Sequence, residues 1–430
     1  MAKAKKLGDY LIVGVTSDYF DVQRGKMNVE QSLVERIENV KSVGCVDEIL
    51  VEEYEGQKIA DIRKHGVDVF AIGSDWKGKF DFLKEYCEVV YLDRTPNISS
   101  TSLRDGHYGI VGLGFAGVGS MACRYIVEMK FVGGCQYRVV YDPNMANASE
   151  FAHRYNIEMA YDNYNCFLEK VDAVYVSTEP STHYDFVRRA LEAGKHVLCE
   201  SPVALSAKET TELFGLAVER KLVLMEAIRT AYAPAFNNLL AIAKNGRIGE
   251  IKDVEVAVTK LTYQESEATN SVGSFIELGS TTLVPIVKLL GRTYDDIRFT
   301  FFTDSHNVDL YTKAYFRYPC AIATSKTGID VKSEGQLLIS GNKGYILVKS
   351  PWWLTKTFEV CYEDPSENEH FSAPFLGYGT RYVLADFVRN IRMPDRSVYS
   401  LSSKDSITLA GIMEKFLEAK RSHTGGIICR

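Results

Sequence analysis

Three groups of residues have the types and spacing to do chemistry. Gly112-Leu-Gly114-Phe115-Ala116-Gly117 is a G-x-G-x-x-G that follows a short apolar run and precedes a helix-compatible stretch. In such a loop the first glycine allows a tight turn, the second lets the backbone approach a pyrophosphate, and the third lets helix and strand pack closely, so that the helix N-terminus faces the phosphates. Asp142 stands at the end of the next predicted strand, where a carboxylate accepts from a ribose diol and repels a 2′-phosphate. The cofactor expected is therefore NAD. A second group, Ser177-Thr178-Glu-Pro-Ser-Thr-His183 and Glu200-Ser201-Pro202, follows the third and fourth strands at their carboxyl ends. A third, Arg94-Thr95-Pro-Asn-Ile98-Ser99-Ser100-Thr101, combines hydroxyls, backbone donors and an arginine, which is what a polyanion requires.

The elements that must position these groups fall into segments of different character. Before residue 105, Tyr10 to Val15, Val67 to Ile72 and Glu88 to Leu92 are short apolar runs, and Glu30 to Ser42 has helical spacing. This alternation predicts a parallel sheet covered by helices. The pattern restarts with strands expected over 108–112, 137–141, 172–176, 196–199 and 222–225, each pair separated by a helix-length stretch, as in a doubly wound α/β domain. After residue 250 longer alternating strands (Ile251 to Val258, Asp309 to Tyr318, Gln336 to Ile339) predict an α+β domain with an open, mostly antiparallel sheet. Helices over Tyr382 to Ile391 and Ser406 to Leu417 close the chain. The domain boundaries expected are 1–105, 106–228 and 229–430.

Composition narrows the function. With Lys+Arg 50 against Asp+Glu 56, the net charge of -6 has the wrong sign for a general nucleic-acid binder. The longest uncharged window, Gly106 to Cys123, is too rich in glycine for a lipid-buried helix. Nine scattered cysteines suit neither a disulfide framework nor a metal site, so the expectation is a cytoplasmic protein acting on small molecules, with no metal and no membrane contact.

On the nucleotide loop, the Thr178 to His183 segment and Glu200-Ser201-Pro202, the sequence over roughly 107–420 resembles the Gfo/Idh/MocA family of nicotinamide-dependent sugar and polyol oxidoreductases. The resemblance extends to Gly341-Asn-Lys-Gly-Tyr-Ile346 and Pro351-Trp-Trp353. It implies that Gly112 to Gly117, Thr178, His183 and Glu200 border the cofactor. Two departures concern catalysis. The family's Glu-Lys-Pro reads Glu200-Ser201-Pro202, and its Asp-x-x-x-His reads Glu277-Leu-Gly-Ser-Thr281. Neither Ser201 nor Thr281 exchanges protons near neutrality, whereas removing a hydroxyl proton during hydride transfer contributes about 10² to 10⁴-fold. Glu277, His183, Lys260 and Tyr232 are the substitute candidates. Each also has a plain structural reading: Lys260 solvated at a strand end, Tyr232 packed beside Pro234, Glu277 making a polar contact.

The first segment resembles glycerol-3-phosphate cytidylyltransferase and its polyol-phosphate relatives through Leu7 to Val15, Gly73 to Asp81 and Arg94 to Thr101. That resemblance implies a nucleotidyltransferase-type Rossmann-like domain in which Arg94, Thr95, Ile98, Ser99, Ser100 and Thr101 hold the triphosphate of CTP. It also implies that Lys26 and Arg36 contact phosphate and that Asp75, Trp76 and Lys79 lie in the substrate loop. The family's opening strand and His-x-Gly-His do not occur in this sequence. The domain is thus expected to be incomplete, with the reading frame extending upstream or the segment a remnant, and no CTP turnover is expected from it as it stands.

The reading reached from sequence is an NAD-dependent oxidoreductase acting on a sugar or polyol, free or phosphorylated, fused to a truncated cytidylyltransferase and self-associating through the C-terminal sheet. The alternatives are a non-catalytic NAD-binding scaffold or sensor, and a CTP:polyol-phosphate cytidylyltransferase if the frame extends upstream.

Overall fold

The computed structural model describes residues 1–17, 20–21, 33–54, 56–93, 109–261, 272–394, 400–422 and 424–428. They divide into two compact units, Met1–Ile110 with Met129–Cys135, and Val111–Glu128 with Gln136–Arg430.

In the first unit, α1 (Ala2–Lys5), β1 (Ile12–Thr16), α2 (Leu33–Lys41), β2 (Glu48–Glu52), α3 (Gln57–His65), β3 (Val69–Gly73) and β4 (Glu88–Leu92) follow one another. The strands form two separate parallel pairs, β1 with β2 (Ile12 opposite Glu48) and β3 with β4 (Val69 opposite Glu88). Parallel pairs need crossovers: α2 supplies the one from β1 to β2, and residues 74–87, with two short 3-10 helices, supply the one from β3 to β4.

The second unit opens on β5 (Val111–Ala116), α4 (Ser120–Met129), β6 (Cys135–Tyr141), α5 (Met145–Tyr155), β7 (Met159–Tyr161), α6 (Tyr164–Leu168), β8 (Ala173–Val176), α7 (His183–Glu192), β9 (His196–Cys199), α8 (Ala207–Glu219) and β10 (Leu224–Glu226). The sheet order β10-β9-β8-β5-β6-β7 is the 3-2-1-4-5-6 order of a doubly wound nucleotide-binding fold read from the other edge. Every residue of β5 and β8 is buried, which is why both read as continuous apolar runs: helices cover both faces of the sheet. Two helix starts are fixed by caps. Asn144 accepts from Ala146 N and Ser206 from Glu209 N.

The chain continues through α9 (Arg229–Tyr232), α10 (Pro234–Lys244), β11 (Ile251–Thr259), α11 (Ser274–Leu290), β12 (Asp296–Thr303), β13 (Asp309–Arg317), β14 (Ile322–Gly328), β15 (Leu337–Gly341), β16 (Tyr345–Val348), β17 (Thr357–Cys361), β18 (Glu369–Ser372), α12 (Thr380–Arg392), α13 (Ser403–Arg421) and β19 (Gly426–Ile428). A nine-stranded mixed sheet, β18-β17-β16-β15-β11-β14-β13-β12-β19, is antiparallel except at β11–β14 and β12–β19. On β13, Thr312, Ala314 and Phe316 are buried and alternate with Lys313, Tyr315 and Arg317, so one face is covered, by α11 among others, and the other is accessible. The entry to α11 is held by Asp309. This fully buried carboxylate accepts from Phe275 N at 2.8 Å and Ser274 Oγ at 2.9 Å and is paired with Lys420 Nζ at 3.1 Å. Gly273 takes φ +87° there, and a Cβ on it would come within 2.0 Å of Asp309 Oδ1.

Candidate functional site

In the first unit the chemistry-bearing residues gather at the carboxyl ends of β1 and β3. Arg36 Nη1 donates to Asp21 Oδ2 at 2.6 Å and to Thr16 O at 2.7 Å, which aims the guanidinium at the end of β1. Trp76 closes a short turn after β3, and Lys79 Nζ lies 5.2 Å from its ring centroid, a cation–π arrangement. Lys26, Arg94, Thr95, Ile98, Ser99, Ser100 and Thr101 lie outside the described residues, as does the side chain of Asp75.

In the second unit the sheet order reverses between β5 and β8, and ligands of open α/β folds bind outside the strand ends at such a point. The structure corrects the sequence reading here. Gly112, Gly114, Phe115 and Ala116 are not loop residues but lie in β5 and are buried. A Cβ on Gly114 would come within 2.6 Å of Val171 and Phe167, so that glycine serves strand packing. The chain turns at Gly117, with φ +95°, and α4 begins at Ser120. The loop is therefore Gly117-Val-Gly119-Ser-Met-Ala122, a G-x-G-x-x-A offset by five positions from the first string. A Cβ on Gly117 would meet Ser177 O at 2.7 Å, one on Gly119 meets nothing within 4 Å, and Ala122 is fully buried. These are the three roles of the dinucleotide loop: a turn glycine, an open approach for phosphate, and a small residue where helix meets strand. The second G-x-G was legible in the sequence, because the strand should precede the loop.

Asp142 follows β6 directly, and its Oδ1 accepts from Asn144 N at 2.9 Å and from Asn147 Nδ2 at 3.5 Å, fixing the carboxylate at the strand end. Thr178 accepts from the Thr182 hydroxyl at 2.8 Å beside the switch point.

His183 is buried, with Nδ1 2.7 Å from Pro202 O and Nε2 3.0 Å from Thr178 O. Burial lowers its pKa, and the two carbonyls oppose this only in part. Its geometry makes it a brace between the Thr178 and Pro202 loops, not an exchangeable acid or base. Tyr232 is also buried and donates to Glu226 O at 3.0 Å. Lys260 and Glu277 come together as an ion pair, and Thr281 lies one turn beyond Glu277 on α11. Ser201 is half-buried directly after Glu200.

The sequence resemblance places Glu200 only beside the cofactor; the structure adds its environment. It follows β9 and accepts from the Tyr175 hydroxyl at 2.6 Å. Burial pushes its pKa up to about 7, against Tyr175, Arg229 and Arg124, which favour the charged form. Glu226, which ends the adjacent strand β10, is likewise pushed up to about 7 by burial. Burial at the ends of two adjacent strands thus holds both carboxyls near neutrality. Sequence alone gives no sign of it, because the shift comes from packing.

The fold and this crevice define a dinucleotide-binding oxidoreductase fold joined to a nucleotidyltransferase-type segment. Through its first segment the chain belongs to the cytidylyltransferase family, residues 1–106 matching "Cytidylyltransferase-like", and residues 107–228 match "Oxidoreductase family, NAD-binding Rossmann fold". A glycerol-3-phosphate cytidylyltransferase of Bacillus spizizenii is 50% identical over 104 residues, which is 24% of this chain and 80% of the relative. Human trans-1,2-dihydrobenzene-1,2-diol dehydrogenase is 26% identical over 326 residues, 71% of this chain and 96% of that protein. Among solved structures, KijD10, a 3-ketoreductase from Actinomadura kijaniata crystallised with NADP and TDP-benzene, superposes with a TM-score of 0.65 at 20% identity, covering 75% of this chain and all of that one. At that identity the match shows the fold alone. No described helix is long and apolar enough to cross a membrane.

Proposed function

We propose that the second unit interconverts a secondary alcohol and a ketone on a sugar or polyol with NAD(H), in the cytoplasm, and that Glu200 rather than a lysine exchanges the hydroxyl proton. The observation that carries this reading is the switch-point crevice, where Gly117, Ser177 and Glu200 surround one strand-end region and Asp142 caps the next strand. The residues fit a dinucleotide: the glycine turn leaves no room for a side chain, Gly119 opens the approach for phosphate, and Asp142 offers a ribose acceptor. When bound, the nicotinamide supplies the two-electron acceptor or donor. The protein's own tasks are to hold the alcohol carbon toward it and to take the hydroxyl proton on a Glu200 carboxylate oxygen. In the reverse direction protonated Glu200 returns that proton to the carbonyl oxygen. The Lys260–Glu277 pair is assigned to orienting substrate hydroxyls at the start of α11.

Support for a carbonyl substrate comes from the relatives, a diol dehydrogenase and a 3-ketoreductase. The cytidylyltransferase-like segment suggests that the substrate bears a phosphate and that CTP is the first unit's nucleotide. We assign self-association to the accessible face of the nine-stranded sheet, where Tyr315, Ile322 and Tyr345 are exposed.

The test is to follow NADH oxidation on a panel of ketoses, their phosphates and inosose-type ketones. Turnover on one class, lost in Glu200→Gln, supports the reading. NADH binding without turnover on any of them favours the non-catalytic sensor, a reading that the locked His183 and the non-titrating Ser201 and Thr281 support.

A further inference from the structure

Two arginines of the second unit converge beside Glu200 without a full counter-charge. Arg124 lies on α4, and its guanidinium carbon is 5.7 Å from the ring centroid of Tyr378. Arg229 opens α9, just beyond the end of β10, and its Nη1 donates to the main-chain oxygen of the same Tyr378 at 3.3 Å. Both side chains are half-buried, and both favour the charged form of Glu200, so they reach one strand-end region. Burial, and then the charge of Arg124, lower the pKa of Arg229, as expected of two guanidiniums held near each other. Among the described residues neither is in an ion pair, and the other contact of Arg124 is a weak one to Met121 Sδ at 3.7 Å. Glu200 offsets only part of the two charges, because burial pushes its carboxyl up to about 7.

The arrangement is held rigidly. Tyr378 sits between Gly377 and Gly379, which take left-handed φ of +56° and +78°. A Cβ on Gly377 would come within 2.1 Å of Glu128 Oε1, and one on Gly379 within 2.4 Å of Phe375. Glu128 stands one turn after Arg124 on α4 and is gripped by Arg381, just past the Tyr378 turn. The helix that carries Arg124 is thereby locked to the loop that carries Tyr378, and Tyr378 in turn bonds Arg229. Two like charges fixed in this way repel, and an anion between them removes the repulsion.

We propose that Arg124 and Arg229 bind a phosphate monoester carried by the substrate, a placement that rests on the oxidoreductase reading above. Such a group brings nearly two negative charges at neutral pH and three terminal oxygens, so it answers both guanidiniums at once. A carboxylate brings one charge. On the same reading the cofactor's own phosphates occupy the Gly117–Ala122 turn after β5, whereas Arg229 follows β10, three strands along the sheet. The pair therefore sets specificity, because a ketose phosphate is anchored by its anion next to Glu200 and a free ketose lacks that hold.

The experiment titrates the full chain with inorganic phosphate by calorimetry, with and without saturating NADH. The wild type should bind phosphate tighter than acetate by roughly tenfold or more, a comparison that leaves the protein untouched. Arg124→Met and Arg229→Met should each weaken phosphate by roughly tenfold or more with NADH affinity unchanged, and Arg229→Lys, which keeps the charge, should recover much of the loss. Phosphate held by the first unit would not respond to these substitutions. In turnover, Arg229→Met should raise KM on ketose phosphates far more than on the free ketoses. Phosphate binding that neither variant weakens, acetate held as tightly as phosphate, or an equal rise in KM on both kinds of ketose would overturn the proposal. So would NADH affinity falling together with phosphate affinity, since the arginines would then serve the cofactor's pyrophosphate. Absence of turnover on every ketose would instead sink the oxidoreductase reading, and the phosphate titration would still decide the arginine site.

Discussion

Tyr175 donates its hydroxyl proton to Glu200 Oε1 at 2.6 Å across the carboxyl ends of two adjacent parallel strands, β8 and β9. The bond stabilises the carboxylate, and burial outweighs it, so the group rests near pH 7. That balance sets the pH behaviour of the proposed reaction. Alcohol oxidation needs the carboxylate and should rise as pH increases through about 7, while ketone reduction needs the acid and should fall over the same interval. Glu200→Gln should lower both directions by about 10² to 10⁴-fold and flatten the profile. Tyr175→Phe removes a bond to the charged form and should move the inflection upward. An unshifted profile in Tyr175→Phe would remove Glu200 from the role.

Glu226 ties stability to pH. In the unfolded chain it titrates near 4.5, and in the fold burial pushes it up to about 7, so the folded state binds that proton more tightly. Its contribution is complete below about pH 4.5, is lost as pH rises to about 7, and is constant above. Substituting Gln should remove about 3 kcal/mol of this dependence. Urea unfolding of wild type and Glu226→Gln at pH 5 and 8 checks it, because the variant should gain on the wild type at the higher pH. Equal differences at both pH values would show that Glu226 does not titrate in this interval.

Arg381 grips Glu128 through Nε to Oε2 at 2.6 Å and Nη2 to Oε1 at 3.0 Å, with both side chains about 5% exposed or less. Arg381→Met leaves a buried carboxylate without its partner and should cost about 3–5 kcal/mol, whereas replacing both residues by Met and Leu should cost far less. Thermal unfolding of the single and double variants measures this. A double variant as unstable as the single would mean that Glu128 is not the source of the loss.

Where the oxidoreductase family carries a lysine and a histidine, this chain has Ser201 and Thr281, and Lys260 is engaged by Glu277. Ser201→Lys with Thr281→His should raise turnover by roughly 10² while leaving NADH affinity unchanged. An inert restored pair would count against a working substrate pocket.

Much of this was legible before the structure. The strand over 88–92 falls where its apolar run predicts, and the helices over 380–392 and 403–421 extend their expected spans by a residue or a few at each end. The nucleotide loop was misplaced because two overlapping glycine strings fit one fingerprint, and only strand register tells that Gly112 and Gly114 lie inside β5. His183 reads as a base in sequence, yet two carbonyls hold it in the structure. The poise of Glu200 and Glu226 depends on how deeply they are packed, which no residue spacing encodes. In the first unit the alternation of strands and helices was readable, but the separation into two pairs was visible only in the pairing.

On this reading the second unit binds NAD(H) on the Gly117–Ala122 turn with Asp142 at the ribose. The direct measurement is calorimetric titration of the wild type, Gly117→Val and Asp142→Ala with NADH and NADPH. The wild type should bind one NADH per chain, preferring it to NADPH by about tenfold or more, because the Asp142 contact is worth about 1–3 kcal/mol. Asp142→Ala should erase the preference, and Gly117→Val should abolish binding, since a side chain there collides with Ser177 O. Tighter binding of NADPH than NADH by the wild type, or unchanged NADH affinity in Gly117→Val, would contradict the account.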